Sequence, residues 1–88
     1  MQIVLNKCFG GFSLSSSAVE TLGLESRFDE VDRTDYRLIN LVERGEASGP
    51  CARLVVVEIP DECTDYEINE YDGAESVTYV LNGKLYHA

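Results

Sequence analysis

Pro50 and Pro60, the only two prolines, bracket a segment that contains Leu54-Val55-Val56-Val57, an uninterrupted apolar run rich in β-branched residues. A proline has no amide to give to a ladder, so the segment between them reads as one self-contained strand, Ala52 to Ile59. An apolar run without polar alternation is the pattern of a strand covered on both faces, which places it at the centre of a sheet. Whatever else folds must supply cover for two faces of this strand.

The remaining elements follow from local chemistry. Met1 to Lys7 sets Ile3 and Leu5 against Val4 and Asn6 and reads as a second strand. Ser15 or Ser16 caps a short helix through Leu24, with Ala18, Val19 and Leu22 inward and Gly23 weakening its end. Glu25 to Asp35 is a charged turn. Thr34 or Asp35 then caps a second helix through Gly45, where Leu38, Ile39, Leu41 and Val42 recur at helical spacing. Tyr66 to Tyr71 alternates as a half-exposed strand. Asp72-Gly73 and Asn82-Gly83 tolerate the positive φ angles of type I′ turns, and the second joins arms Val77–Leu81 and Lys84–His87. Residues 74–81 fit either a strand or the start of a helix. The expected fold class is α+β, one small mostly antiparallel sheet against two short helices, in the order β-α-α-β-β-β with a C-terminal hairpin.

With 88 residues, the chain is expected to form a single domain spanning 1–88 and to bury about 60–65% of its unfolded surface, a small core that gains from assembly into a homo-oligomer. No apolar run reaches the roughly 18 residues of a membrane span, and the N-terminus lacks the charged and apolar regions of a secretory signal, so a cytoplasmic location is expected. Seven Lys and Arg against sixteen Asp and Glu give a net charge of -9, which argues against a nucleic-acid duplex as direct partner. Cys8, Cys51 and Cys63 have no CxxC spacing and read as buried small hydrophobes. The one histidine, His87, has no nucleophile at a recognisable spacing. Neither a catalytic residue, a metal site nor a cofactor is expected.

Three stretches carry candidate binding chemistry. Between the first strand and the first helix, Gly10-Gly11 can turn several amides toward one point near the helix N-terminus, where an anion is stabilised. Lys7, Ser13 and Ser15 supply polar groups there, and Phe9 and Phe12 an aromatic face. Arg33 and Arg37, four apart, can add a bidentate grip on a phosphate if the second helix starts early enough, though Glu30, Asp32 and Asp35 interleave with the arginines as in a solvated, salt-bridged surface. The third stretch, Glu58 to Glu75, holds eight of the sixteen acids and no Lys or Arg. It lacks the ligand spacing of a Ca²⁺ loop. Its charge suits either a solvated edge that resists aggregation or a surface that meets a basic groove.

The opening string Ile3-Val4-Leu5-Asn6-Lys7-Cys8-Phe9-Gly10-Gly11-Phe12-Ser13-Leu14-Ser15 is followed by Arg33-Thr34-Asp35, Val56-Val57-Glu58-Ile59-Pro60 and Glu70-Tyr71-Asp72-Gly73. Over most of its length the chain thereby resembles a group of small proteins encoded by bacteriophages and prophages. The resemblance implies a genomic context, the cytoplasm of an infected host, and assigns no role to any residue. Two functions fit. In the leading one a non-enzymatic accessory protein sequesters a small phosphorylated, nucleotide-like ligand, countering host defence signalling, through Lys7, Phe9, Gly10, Gly11, Phe12, Ser13, Ser15, Arg33 and Arg37. In the alternative, Asp61, Glu62, Asp65, Glu67, Glu70 and Asp72 occupy a basic groove of a host protein, as an inhibitor or nucleic-acid mimic.

Overall fold

The apolar run does obtain two covered faces, but by a different route from a central strand. A computed structural model describes all residues, 1–88. In it β1 (Gln2–Asn6) and β2 (Leu54–Glu58) form an antiparallel ribbon of two strands, in which β2 has no other neighbour. The register pairs Val4 with Val56 and Asn6 with Leu54 on one face, and Ile3 with Val57 and Leu5 with Val55 on the other.

The first face meets the helices. Val4, Leu54 and Val56 join Leu14, Ala18, Leu38, Ile39, Leu41 and Ala47 in one apolar cluster. The second face meets another sheet, with Ile3, Leu5 and Val57 clustering with Ile59, Val77, Ile68 and Tyr79. The ribbon is therefore the middle of three layers, and the missing alternation in Leu54–Val57 reports those layers instead of flanking strands. The expected single sheet divides into two for the same reason.

The helices begin and end where their caps dictate. Ser15 Oγ accepts from the Ala18 amide to open α1 (Ser16–Leu22), and Gly23 closes it at φ 68°, in the left-handed region. Asp35 accepts from the Arg37 amide to open α2 (Tyr36–Glu43), whose Leu38, Ile39 and Leu41 are buried. The second sheet is a meander of β3 (Asp65–Tyr71), β4 (Ala74–Leu81) and β5 (Lys84–His87). Residues 74–81 are thus strand throughout. Both turns have the sign of φ that their sequences favour, 52° and 90° at Asp72-Gly73 and 52° and 77° at Asn82-Gly83. β5 rests only on β4, and the molecule extends over 40 × 26 × 21 Å. No helix is long and apolar enough to cross a membrane.

One ion pair joins the three layers. Glu75 at the start of β4 is 8% exposed, and its carboxylate accepts two hydrogen bonds from the Arg33 guanidinium at 2.7 and 2.8 Å. The same carboxylate accepts from the Asn6 amide, while Arg33 donates to the Val4 carbonyl and accepts, through its own carbonyl, from the Val4 amide. The edge of β1 that faces away from β2 is closed by these bonds. Arg33 also lies 3.8 Å above the Phe12 ring, which packs on the helical cluster.

Removing one partner of a buried, bidentate pair leaves the other charge uncompensated. Glu75→Gln is expected to cost about 3–5 kcal/mol in urea unfolding, and an apolar replacement of both residues to cost less than either single change. A loss below about 1 kcal/mol for Glu75→Gln would show that the pair does not hold the layers together.

Candidate functional site

The turn between β1 and α1 is wedged between two other loops. A Cβ on Gly10 would stand 2.2 Å from the Cys51 carbonyl oxygen. On the opposite side, a Cβ on Gly73 would stand 2.4 Å from the Gly11 nitrogen and 2.7 Å from the Phe9 carbonyl oxygen, so the hairpin turn sits directly on Gly11. Asn6, wholly buried, ties the two together: its amide nitrogen donates to the carbonyls of Cys8 and Gly73, and its oxygen accepts from the amides of Cys8 and Arg53. The glycines are there because backbones approach closely.

The side chains expected to surround an anion are engaged elsewhere. Lys7 Nζ donates to the Glu75 carbonyl, Ser13 Oγ to the Pro50 carbonyl, and Ser15 Oγ to the Glu46 carbonyl while it caps α1. Arg33 is bound to Glu75. Arg37 bonds Asp35, the cap of its own helix, and because α2 starts at Tyr36 the two arginines do not share a helix face. Phe9 is exposed, and Phe12 is covered by Arg33. Of the nine nominated residues, only Phe12 and Arg33 line a cavity.

The acidic stretch divides into an inner and an outer part. Glu75 is inside, in the pair described above. Glu58, Asp61, Glu62, Asp65, Glu67, Glu70 and Asp72 are exposed, and of these only Asp61 meets a cation, the Met1 amino group. Along β3, Asp65, Glu67 and Tyr71 point away from β1, whereas Glu70 shares the face of Ile68 and Tyr66. On that face Tyr66 pairs with Tyr79, and Tyr79 stacks on Tyr86 with centroids 5.4 Å apart, so these tyrosines are cross-strand packing.

Two cavities open on the surface, on either side of Phe28. One, of about 370 Å³, lies between α1 and residues 25–28. The other, of about 440 Å³, is lined by Phe12, Phe28, Val31 and Ile68, by the carboxylates Asp29, Glu30 and Glu70, and by the Arg33–Glu75 pair. The charge of this groove is opposite to that of the expected anion site. Phe28 and Asp29 fall inside what the sequence reads as a charged turn and Glu30 within its salt-bridged surface, and the one signal for a groove there is an aromatic residue standing alone among charges. The turn is nevertheless built: Asp29 accepts from the amides of Glu25 and Ser26, and Leu14 donates to the Arg27 carbonyl.

The cysteines are less enclosed than expected, Cys8 and Cys63 half-buried and Cys51 exposed at φ 62° in the turn that crosses Gly10. Cys8 lies beside Gly73 through Asn6, whereas His87 pairs with Thr78, about five residues along β4. No nucleophile–base pair forms between them. No three His, Cys, Asp or Glu side chains converge as metal ligands. Titration is perturbed at exposed contacts: hydrogen bonds from Thr34 hold Asp32 below the ordinary carboxylate range, those from Arg37 hold Asp35 below it and raise Arg37, and the bond to Asp61 raises the Met1 amino group. No protein-family model, curated protein or solved structure matches the chain.

Gly10→Ala drives a methyl group into the Cys51 backbone, and is expected to lower stability by about 1–3 kcal/mol in urea unfolding, with no ligand present. Asp32 and Asp35 contribute stability that is fully present above their unfolded pKa of about 4 and is lost as pH falls through the lower folded value. The thermal midpoint should therefore drop on acidification below about pH 4, and drop less in the double variant Asp32→Asn, Asp35→Asn. An equal drop in both proteins would assign acid sensitivity to other carboxylates.

Proposed function

We propose that this chain is a non-enzymatic binding protein that covers a basic groove of a second protein with the carboxylates between Glu58 and Asp72. The observation that carries this reading is that Glu58 at the end of β2, Glu62 in the loop that follows, and Asp65, Glu67, Glu70 and Asp72 on β3 and its turn are exposed and have no cationic partner. Like charges gathered along one stretch of chain weaken the isolated fold by mutual repulsion, and the cost is recovered when opposite charge approaches. The Gly10-Gly11 turn offers less to a phosphorylated ligand, since Lys7, Ser13, Ser15, Arg33 and Arg37 are engaged within the chain. Resemblance to phage-encoded proteins suits a chain that acts by occupying a host component in the host cytoplasm.

The test compares the chain with the variant Asp61→Asn, Glu62→Gln, Asp65→Asn, Glu67→Gln in affinity capture from host-cell extract. The four side chains are exposed and only Asp61 has a cationic partner, the Met1 amino group at the surface, so the variant is expected to fold, which an unfolding curve checks. A basic protein retained by the first and absent from the second, with affinity falling by about tenfold or more between 0.1 and 0.5 M salt, supports the proposal. The purified partner should then exchange this chain for nucleic acid in direct competition. Retention that ignores salt, or that survives all four substitutions, would remove it.

A further inference from the structure

The groove beside Phe28 has a chemistry that selects its occupant. Its walls are the side chains of Phe12, Phe28, Val31 and Ile68, and its rim carries Asp29, Glu30 and Glu70. The one cation in the lining, Arg33, is already paired with Glu75, bonded to the Val4 carbonyl and stacked on the Phe12 ring. An anion would meet the Glu30 carboxylate and that of Glu70, one oxygen of which accepts from the Gly73 amide, while Asp29 is turned to the Glu25 and Ser26 amides, and it would find no free positive charge. A neutral apolar group would desolvate those carboxylates without compensation. A planar cation with an apolar stem meets both demands, because it can lie against an aromatic face while donating to carboxylates. Phe28 is 73% exposed on a turn fixed by its own hydrogen bonds, a large apolar surface left uncovered at the mouth of the groove.

We infer that this groove receives the guanidinium group of an arginine from the basic protein partner, stacked on Phe28 and held by Glu30 and Glu70. The inference rests on the proposed function and adds the anchor residue on the partner's side. Guanidinium is favoured over ammonium because its flat face matches the ring and its several donors match more than one carboxylate.

The probe is N-acetyl-arginine methylamide, titrated into the ¹⁵N-labelled chain and followed by amide chemical shifts, with the citrulline analogue as a neutral isostere. Saturable shifts centred on Phe28, Glu30, Ile68 and Glu70 are expected with arginine and none with citrulline. Phe28 and Glu30 are exposed, so the double variant Phe28→Ala, Glu30→Gln is expected to keep the fold and to weaken the arginine probe about tenfold. Equal shifts with citrulline, no shifts at the groove, or shifts unchanged in the double variant would each overturn the inference. An octalysine peptide separates the two levels: if it perturbs Asp61 to Glu67 with salt dependence while arginine leaves the groove silent, the anchor fails and the wider reading stands. If octalysine leaves Asp61 to Glu67 unperturbed as well, both fail.

Discussion

The Glu75 carboxylate stands where another strand would otherwise bond the outer edge of β1. A two-stranded ribbon has two open edges, and an open edge invites pairing with any other chain. Here one side chain and one loop residue, Glu75 and Arg33, accept from and donate to Val4 and Asn6, and so end the sheet at two strands. The same two groups carry the contact onward to Phe12 in the helical layer and to β4 in the second sheet. Buried ion pairs are a weak source of net stability compared with apolar replacements of equal size. Their strength lies in selecting one arrangement, since any shift of β4 against β1 would leave the buried Glu75 carboxylate without its partners.

Much of the local structure was readable from short-range chemistry. Ser15 and Asp35 cap the helices, Gly23 ends the first, and Asp72-Gly73 and Asn82-Gly83 make the two tight turns, because each depends on residues within one turn of chain. The layer arrangement was less accessible. Leu54 to Val57 states that two faces are covered and cannot state by what, and a strand between layers has the same pattern as one between strands. Glu75 read as the eighth acid of an exposed stretch, since its partner Arg33 lies 42 residues away and nothing in either neighbourhood announces the pair.

The candidate site shows the same limit. Lys7, Ser13 and Ser15 are in the expected neighbourhood, but a donor's partner is set by the tertiary fold, and the nearest acceptors were carbonyls of β4 and of the 46–50 turn. Phe12 and Arg33 do reach a cavity. Its sign was inverted by Asp29, Glu30 and Glu70, which come from a loop and a strand about forty residues apart.

The β3–β5 meander has an uneven footing. Its Gly73 end is bolted to β1 through Asn6 and Glu75, whereas β5 and the Asn82-Gly83 tip rest on β4 alone. Local opening in a small domain begins where such support is thinnest. The carboxylates at Asp65 and Glu67, paired in register with Val80 and Thr78, belong to the less supported end. A partner that meets Asp65 and Glu67 therefore meets the sheet toward the end where fewest other elements touch it.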